Sequence, residues 1–358
     1  MNKITSTLFI ILLLGMFLTG CNTQNDTNIV ENPNIQETNS EVNQEKIVQT
    51  EDVSISDKKT NDESKSAVKL IKTFRIPDQY KPIHSSLSNK LETVLISDTD
   101  GNLHILNGEN THTKKFDDGG EFYNLVSPDG VYYLSVSGDG IALYSTQNDS
   151  IIFSPRYSVQ FYDDVISSAD FSDNSNFLVF GNNDGQLFVY KNEKEIWNKK
   201  IGGSWDHLVI SSNEEKLLAI TENLGDATIY LFDLDSGNVL SEFDYSDNSE
   251  YVNLIYSSGI TSETIYICQD NLMKFFDYSG NLIKQEKSYF GCFQSYDEKT
   301  TITFPSEDTL KLNKNGEIKT RTIPEDLYQN IAFSENGKYL ASYNVVWDRD
   351  VRIFEVLD

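Results

Sequence analysis

Short runs of β-branched and aromatic residues recur along this chain, and small polar turns separate them. In the clearest copy, a first run ends at Ser127, a second spans Tyr132–Val136 and a third spans Ile141–Tyr144. The turns carry Asp-Gly or Ser-Gly-Asn sequences, which suit the positive φ angles of tight hairpins. This pattern predicts a chain built of strands joined by short turns.

The same unit occurs seven times. Each copy has a serine at the expected end of its first strand, and successive serines lie 38–46 residues apart. These serines are Ser88, Ser127, Ser172, Ser211, Ser257, Ser295 and Ser334. In the fifth unit this alignment makes Val252–Tyr256 the expected first strand. All-strand units with a period of about 41 residues predict a β-propeller. We therefore expect an all-β, seven-bladed β-propeller of four-stranded blades over residues 67–358.

The seventh unit is one strand short, and one extra strand precedes the first unit. The third strand of the last unit, Val351–Val356, is followed only by two residues, whereas the apolar run Val68–Ile76 stands alone ahead of unit one. An open array of blades would leave an unpaired edge. We expect the N-terminal strand to complete the last blade and close the ring.

One turn carries a family resemblance. Phe232–Leu240 (FDLDSGNVL) is similar to the Asp-x-x-(Ser/Thr)-Gly turn of quinoprotein-like blades, and Ile196-Trp197 is similar to the tryptophan position that follows it. Residues 67–358 thus resemble the WD-repeat and quinoprotein-like propellers. The Gly-His of WD repeats is absent, and Trp347-Asp348 falls between a second and a third strand instead of at the end of a third. The resemblance implies blades, and a fold alone implies no activity.

The N-terminus resembles that of prokaryotic lipoproteins. An apolar run over residues 8–18 follows Lys3, and Leu18-Thr19-Gly20-Cys21 matches the lipobox at all four positions. The run suits a signal peptide and is short for a membrane span. The resemblance implies that residues 1–20 are a lipoprotein signal peptide and that Cys21 is lipidated, which anchors the protein stably through two or more acyl chains. We expect a lipid-anchored protein of the cell membrane that faces outside the cytoplasm, at the cell surface or in the periplasm.

Residues 21–66 then join the anchor to the propeller. The segment 22–66 is rich in Asn, Thr, Glu, Ser and Gln and has no aromatic residue, so it cannot bury enough apolar surface to fold. We expect a disordered polar tether. The formal net charge is −26, of which residues 1–66 contribute −5 (10 acidic and 5 basic residues), leaving −21 on the propeller. This charge argues against nucleic acid and anionic lipid headgroups as partners.

No catalytic, cofactor or metal motif emerges from the sequence, and we expect a protein that is not an enzyme. The histidines His84, His104, His112 and His207 lack metal-ligand spacing, although His84 and His207 hold equivalent positions near first strands. No nucleophile elbow or phosphate-binding loop is present. Cys268 falls in a second strand and Cys292 in the first strand of the next unit. We expect buried free thiols there, with a disulfide as the alternative.

The remaining candidate is a binding surface. The loops that lead from each fourth strand to the next first strand lie on one face of a propeller, and several are aromatic. The candidate partner-binding residues are Tyr157, Phe161, Tyr162, Trp205, Tyr289 and Phe290. Aromatic anchors with acidic surroundings suit a protein interface, and the alternative is that these rings cap the gaps between blades. We expect a non-catalytic protein-interaction or assembly scaffold at the cell envelope. The alternative is a lactonase-like or quinoprotein-like enzyme, or a small-ligand binder, that uses the central channel.

Overall fold

A computed structural model of the chain describes most of the predicted propeller. The described residues are 68–357 without 77–81, 108–109, 116–123, 138–139, 155–165, 224–225, 247–254, 256, 270, 290–291, 295–299, 307–308, 324–329, 335 and 344–349. The expected signal peptide and tether lie outside the described residues and stay predictions.

Seven sheets of four antiparallel strands make up the described part of the chain, and they confirm the predicted all-β propeller. The first strand in the sequence is β1 (Val68–Arg75). Blades 1 and 2 contain β2 (Pro82–Leu87), β3 (Thr93–Asp98), β4 (Asn102–Asn107) and β5 (Asn110–Lys115), then β6 (Asn124–Val126), β7 (Tyr132–Ser137), β8 (Gly140–Ser145) and β9 (Ile151–Phe153). Blades 3 and 4 contain β10 (Ile166–Phe171), β11 (Phe177–Asn182), β12 (Gln186–Lys191) and β13 (Lys194–Lys200), then β14 (Trp205–Ile210), β15 (Lys216–Asn223), β16 (Asp226–Asp233) and β17 (Val239–Ser246).

The remaining blades follow the same order. Blades 5 and 6 contain β18 (Ser257–Ile260), β19 (Thr264–Gln269), β20 (Leu272–Asp277) and β21 (Leu282–Lys287), then β22 (Cys292–Gln294), β23 (Thr300–Ser306), β24 (Thr309–Lys314) and β25 (Glu317–Thr322). Blade 7 contains β26 (Asn330–Phe333), β27 (Tyr339–Tyr343) and β28 (Asp350–Val356), with β1 as its outer strand. The first strand of each blade is innermost, and inner strands of neighbouring blades contact one another.

The N-terminal strand closes the ring, as predicted. β1 runs antiparallel to β28, with Val68 opposite Val356 and Arg75 opposite Asp350. The guanidinium of Arg75 donates to both carboxylate oxygens of Asp350, at 2.8 and 3.2 Å. Next to it, Phe74 is buried among apolar residues of blades 7 and 1. The seam is therefore held by a strand ladder, an apolar contact and a bidentate ion pair.

The serine at the end of the first strand has one structural role in five blades. Its Oγ accepts a hydrogen bond from the backbone N–H five residues later, as between Ser127 and Tyr132 (2.9 Å). The other copies are Ser88, Ser172, Ser211 and Ser334. The fourth residue of the turn takes positive φ, and glycine meets this need in blade 2, where Gly130 has φ 76°. The repeated serine is thus a turn residue.

The fifth unit departs from the predicted alignment. Ser257 begins the first strand instead of ending it, and the strand is Ser257–Ile260 instead of Val252–Tyr256. Thr261 ends the strand, and its Oγ1 accepts a hydrogen bond from the N–H of Thr264 at 2.9 Å. Because a threonine holds the position of the serine in this unit, an alignment on serine places the unit four residues too early.

The two cysteines form a disulfide, so the expectation of free thiols was wrong. Cys268 in β19 and Cys292 in β22 are bonded across blades 5 and 6, with their Cα atoms 6.0 Å apart. Ser257 explains their proximity. It lies opposite Cys268 in the sheet, and its Oγ donates to the carbonyl of Cys292 at 3.0 Å. The inner ends of adjacent blades therefore approach within bonding range of a disulfide.

Candidate functional site

The structure tests only part of the predicted binding face. Tyr157, Phe161, Tyr162 and Phe290 lie outside the described residues, so their role stays a prediction. Tyr289 follows the outer strand of blade 5, and 38% of its surface is exposed.

Trp205 does not lie on a binding surface, because its side chain is fully buried. A β-bulge after Trp205 turns the indole into the interface between blades 3 and 4. There it lies so close to the backbone of Gly181 that a methyl group at that position would come within 2.6 Å of the ring. Its edge meets the ring of Tyr230, with 5.8 Å between the ring centroids. Trp205 therefore caps a gap between blades, which was the alternative reading of these aromatic residues.

Polar side chains on the inner strands join blade 1 to blade 2 and blade 3 to blade 4. Ser86 accepts a hydrogen bond from the backbone N–H of Val126 at 3.1 Å, and Ser168 accepts one from Leu208 at 3.0 Å. The Oδ2 of Asp170 accepts the N–H of Ile210 at 2.6 Å. These N–H groups lie on the innermost strand edge, which has no further strand to pair with. The side chains thus satisfy an edge that would otherwise be open.

The carboxyl of Asp170 is one of the titratable groups that burial on an inner strand changes strongly. Burial raises the pKa of its carboxyl to about 8, with a further contribution from the charge of Asp173. It faces a small cavity of about 140 Å³ at the inner ends of blades 1, 2, 3 and 7, whose other walls include Leu125 and Phe333. A carboxyl in such a place is a general candidate for function. Here its Oδ2 already bonds to the neighbouring blade.

The two equivalent histidines lie on inner strands, His84 in β2 and His207 in β14. Burial lowers the pKa of His84 to about 4 and lowers that of His207 as well, so both are neutral at pH 7. The Nε2 of His207 lies 3.0 Å from the carbonyl of Ile255 and donates to it. Among the described residues, no group of three or more His, Cys, Asp or Glu side chains is placed to hold a metal ion.

The outer rim of the ring exposes aliphatic side chains. In five consecutive blades they occupy the first three positions of the outer strand, just after its hairpin, and between 37% and 60% of each is exposed. They are Ile151 and Ile152, Ile196, Val239 and Leu240, Leu282 and Ile283, and Ile318. We call this set the apolar rim. Blade 1 has no aliphatic residue in its outer strand, Asn110–Lys115. Grouped apolar residues on a surface mark interaction sites more often than single ones do.

The gap between the outer edges of blades 3 and 4 is filled. Trp197 in β13 packs on the backbone of Gly237 in the blade 4 hairpin, where a methyl group would lie 2.7 Å from the ring. The indole N–H donates to the carbonyl of Leu234 at 2.7 Å. The large ring and the glycine together fill the space between the two outer edges.

The corresponding gap between the outer edges of blades 2 and 3 is not filled. Phe153 in β9 holds the register position of Trp197, since each pairs with the equivalent residue of its neighbouring strand. The facing hairpin of blade 3 has Asn192 and Glu193 at its centre, both with positive φ, and no glycine. A smaller ring therefore meets a bulkier turn, and a cavity of about 330 Å³ remains. We call it the blade 2–3 groove.

The groove has aromatic and aliphatic walls and a polar mouth. Its walls include Tyr132, Leu143, Phe153, Phe171, Leu178 and Tyr190. Its mouth carries amides and two carboxylates, from Asn174, Asn176, Asn192, Asp129 and Glu193. No Lys, Arg or His is among the described residues that line it. Apolar walls with a few polar groups are typical of pockets that hold a ligand side chain.

Comparison with known proteins adds no family to this picture. No helix among the described residues is both long and apolar enough to cross a membrane. No protein-family model matches the chain, and no curated protein matches it either.

Proposed function

We propose that this protein is a non-catalytic protein-interaction scaffold of the cell envelope, a lipoprotein propeller of the WD-repeat and quinoprotein-like kind. The observation that carries the proposal is the apolar rim, with exposed aliphatic residues within the first three positions of five consecutive outer strands. Outer strands are edge strands, which proteins commonly protect with charge. Aliphatic residues there favour a partner that covers them.

The lipobox supports the place of action. Lipidation of Cys21 would hold the propeller at the membrane through a tether, facing outside the cytoplasm. The charge of −21 on the propeller disfavours nucleic acid as a partner. Changing Cys21→Ala should release the protein from membranes or leave an unprocessed precursor. Membrane fractionation like that of the wild type would remove the lipid anchor from the proposal.

A channel enzyme or small-ligand binder is the second candidate, because Asp170 has a raised pKa beside a cavity. Its bond to Ile210 favours a structural role instead. An absorbance scan and a metal assay on the purified protein distinguish the two, since a bound cofactor or metal would support the channel candidate.

Cross-linking in intact cells followed by mass spectrometry tests the scaffold. Leu240→Lys and Leu282→Lys place a charge in the apolar rim, and both side chains are about half exposed, so each should change stability by no more than about 0.5 kcal/mol. We expect these variants to lose the captured partner. Gln285→Lys adds the same charge to an exposed position of the same outer strand as Leu282 and should keep it. A partner retained by all three variants, or no partner above background for the wild type, would contradict the scaffold.

A further inference from the structure

We infer that the blade 2–3 groove binds a cationic side chain, arginine or lysine, from a protein partner. The inference rests on the proposed function in assigning that side chain to a partner protein. It adds the chemistry of one contact: an apolar stem against aromatic walls and a positive head at two carboxylates.

The turn that carries Asp129 uses a side-chain oxygen at this position but does not require its negative charge. The Oδ1 of Asp129 accepts hydrogen bonds from the Oγ of Ser127 (2.6 Å) and the N–H of Val131 (3.0 Å). Asn174 makes the same two bonds in blade 3 through its amide oxygen, at 3.2 and 3.0 Å. Asparagine also holds this position in blades 4 and 7. The turn therefore needs an oxygen acceptor, and blade 2 alone among these four has a negative charge as well.

The second carboxylate occupies a strained position. Glu193 has φ 65°, a left-handed conformation that costs a non-glycine residue about 1 kcal/mol. The corresponding hairpin of blade 6 has Gly316 at φ 82°. A residue held in an unfavourable backbone conformation is a reason to look for function at that place. At Glu193 the strained side chain is a carboxylate at the mouth of the groove.

The walls of the blade 2–3 groove suit a long cationic side chain. Tyr132 and Phe153 are half-buried, so their rings are part of the accessible surface. A cation near an aromatic face gains about 0.5–1 kcal/mol at an exposed site, and the methylene stem of Arg or Lys packs on apolar walls. One lysine of the facing hairpin, Lys191, is turned toward blade 4, where its Nζ lies 2.9 Å from the Oδ1 of Asp235. The two carboxylates at the mouth are therefore not neutralised by that lysine.

The net charge of the whole propeller also favours a cationic group on the partner. A net charge of −21 attracts cationic segments and repels acidic ones before contact. The groove also interrupts the apolar rim between Ile152 and Ile196, so one partner would meet the rim and the groove together. A charged anchor in a pocket surrounded by apolar contacts is the usual form of a binding hot spot.

The test uses the full-length protein with ¹³C-labelled tyrosine, held in phosphatidylcholine nanodiscs. N-acetyl-arginine amide is added while the ring signals of Tyr132, Tyr190 and Tyr289 are recorded. We expect saturable shifts of Tyr132 and Tyr190 in about the millimolar range, with Tyr289 unchanged. N-acetyl-leucine amide should shift them far less. An absence of saturable shifts, or equal binding of the leucine amide or of methyl β-glucopyranoside, would overturn the inference.

Matched variants separate the contributions. Asp129→Asn with Glu193→Gln should weaken arginine binding about fivefold to tenfold, because two exposed ion pairs are lost. Glu263→Gln, an exposed carboxylate in a turn of blade 5, should leave it unchanged. Tyr132→Leu, read from the Tyr190 signal, should weaken arginine about twofold to fivefold and leave leucine unaffected. Equal affinities in the wild type and the double variant would contradict the role of the carboxylates.

The dependence of binding on ionic strength tests the inference in the wild-type protein, without any substitution. Binding of the arginine amide should weaken as ionic strength rises, because exposed charges are screened. Binding that is independent of salt would count against the inference even if a variant failed to fold. Arginine binding together with no partner in the cross-linking experiment would remove the scaffold and keep the groove. A cross-linked partner together with no arginine binding would support the scaffold and overturn the inference about the groove.

Discussion

The disulfide between blades 5 and 6 makes a quantitative prediction. Cys268 and Cys292 are 24 residues apart in sequence, and their bond closes a loop in the unfolded chain. In the chain-entropy description, a loop of this length removes about 12 cal/mol/K from the unfolded state, or about 3.4 kcal/mol at 25 °C. With about 2.1 cal/mol/K of unfolding entropy per residue over the ring, this free energy equals a shift in Tm of about 6 °C.

Oxidised and reduced protein of the same sequence provide the assay. In a Cys21→Ala background, where no third thiol is present, denaturant unfolding is measured with and without dithiothreitol. We expect the reduced protein to lose about 3 kcal/mol of unfolding free energy. Because Cys268 and Cys292 are both buried, reduction should be slow until the protein unfolds. Equal midpoints for the two forms, or two reactive thiols in unfolded, unreduced protein, would refute the bond and its effect.

Three further predictions concern the seam, the gap between blades 3 and 4, and the channel. Phe74→Ala should cost about 3–5 kcal/mol of unfolding free energy, because the ring is buried. Arg75→Ala should cost at most about 1 kcal/mol, because the arginine side chain is largely exposed. Similar losses for the two variants in urea unfolding would contradict a seam held mainly by apolar packing. Trp205→Ala should cost about 3–5 kcal/mol and Tyr289→Ala less than about 0.5, and a small effect at Trp205 would return that residue to the binding face. The pKa of Asp170 is about 8 in the folded protein and about 3.9 in an unfolded chain, so the folded state binds the proton more tightly. The protonated carboxyl therefore stabilises the folded state fully below about pH 4, and this stabilisation is lost as the pH rises toward 8. Between pH 5 and 8 the wild type should lose roughly 2–4 kcal/mol more than Asp170→Asn, and parallel urea midpoints for the two proteins would show that Asp170 does not titrate in this range.

Local patterns in the sequence were enough to predict the ring. The serine turns repeat because each hydroxyl bonds a nearby N–H of its own turn, which is a local interaction. The unpaired run ahead of the first unit and the missing strand of the last one then left a single closure. The fifth unit was misplaced, because Thr261 replaces the serine there and the turn is shorter; the predicted turn serine of the sixth unit, Ser295, lies outside the described residues.

Contacts between blades were beyond these local patterns. The disulfide depends on how closely β18 and β22 approach, and the burial of Trp205 depends on a bulge and on the absence of a side chain at Gly181. The groove was missed because it depends on the sizes of residues on two different blades, Phe153 in β9 and Glu193 in the facing hairpin of blade 3.

The pairing of β1 with β28 has a consequence for how the protein is made. The residues of β1 are synthesised before those of blades 1 to 6, and their strand partner, Asp350–Val356, is synthesised after those blades. Blade 7 must therefore remain incomplete until the other six blades have been synthesised, and such distant pairing is intrinsically slow. A chain cut short by ten residues would keep six whole blades and still lose the contact that makes them a circle.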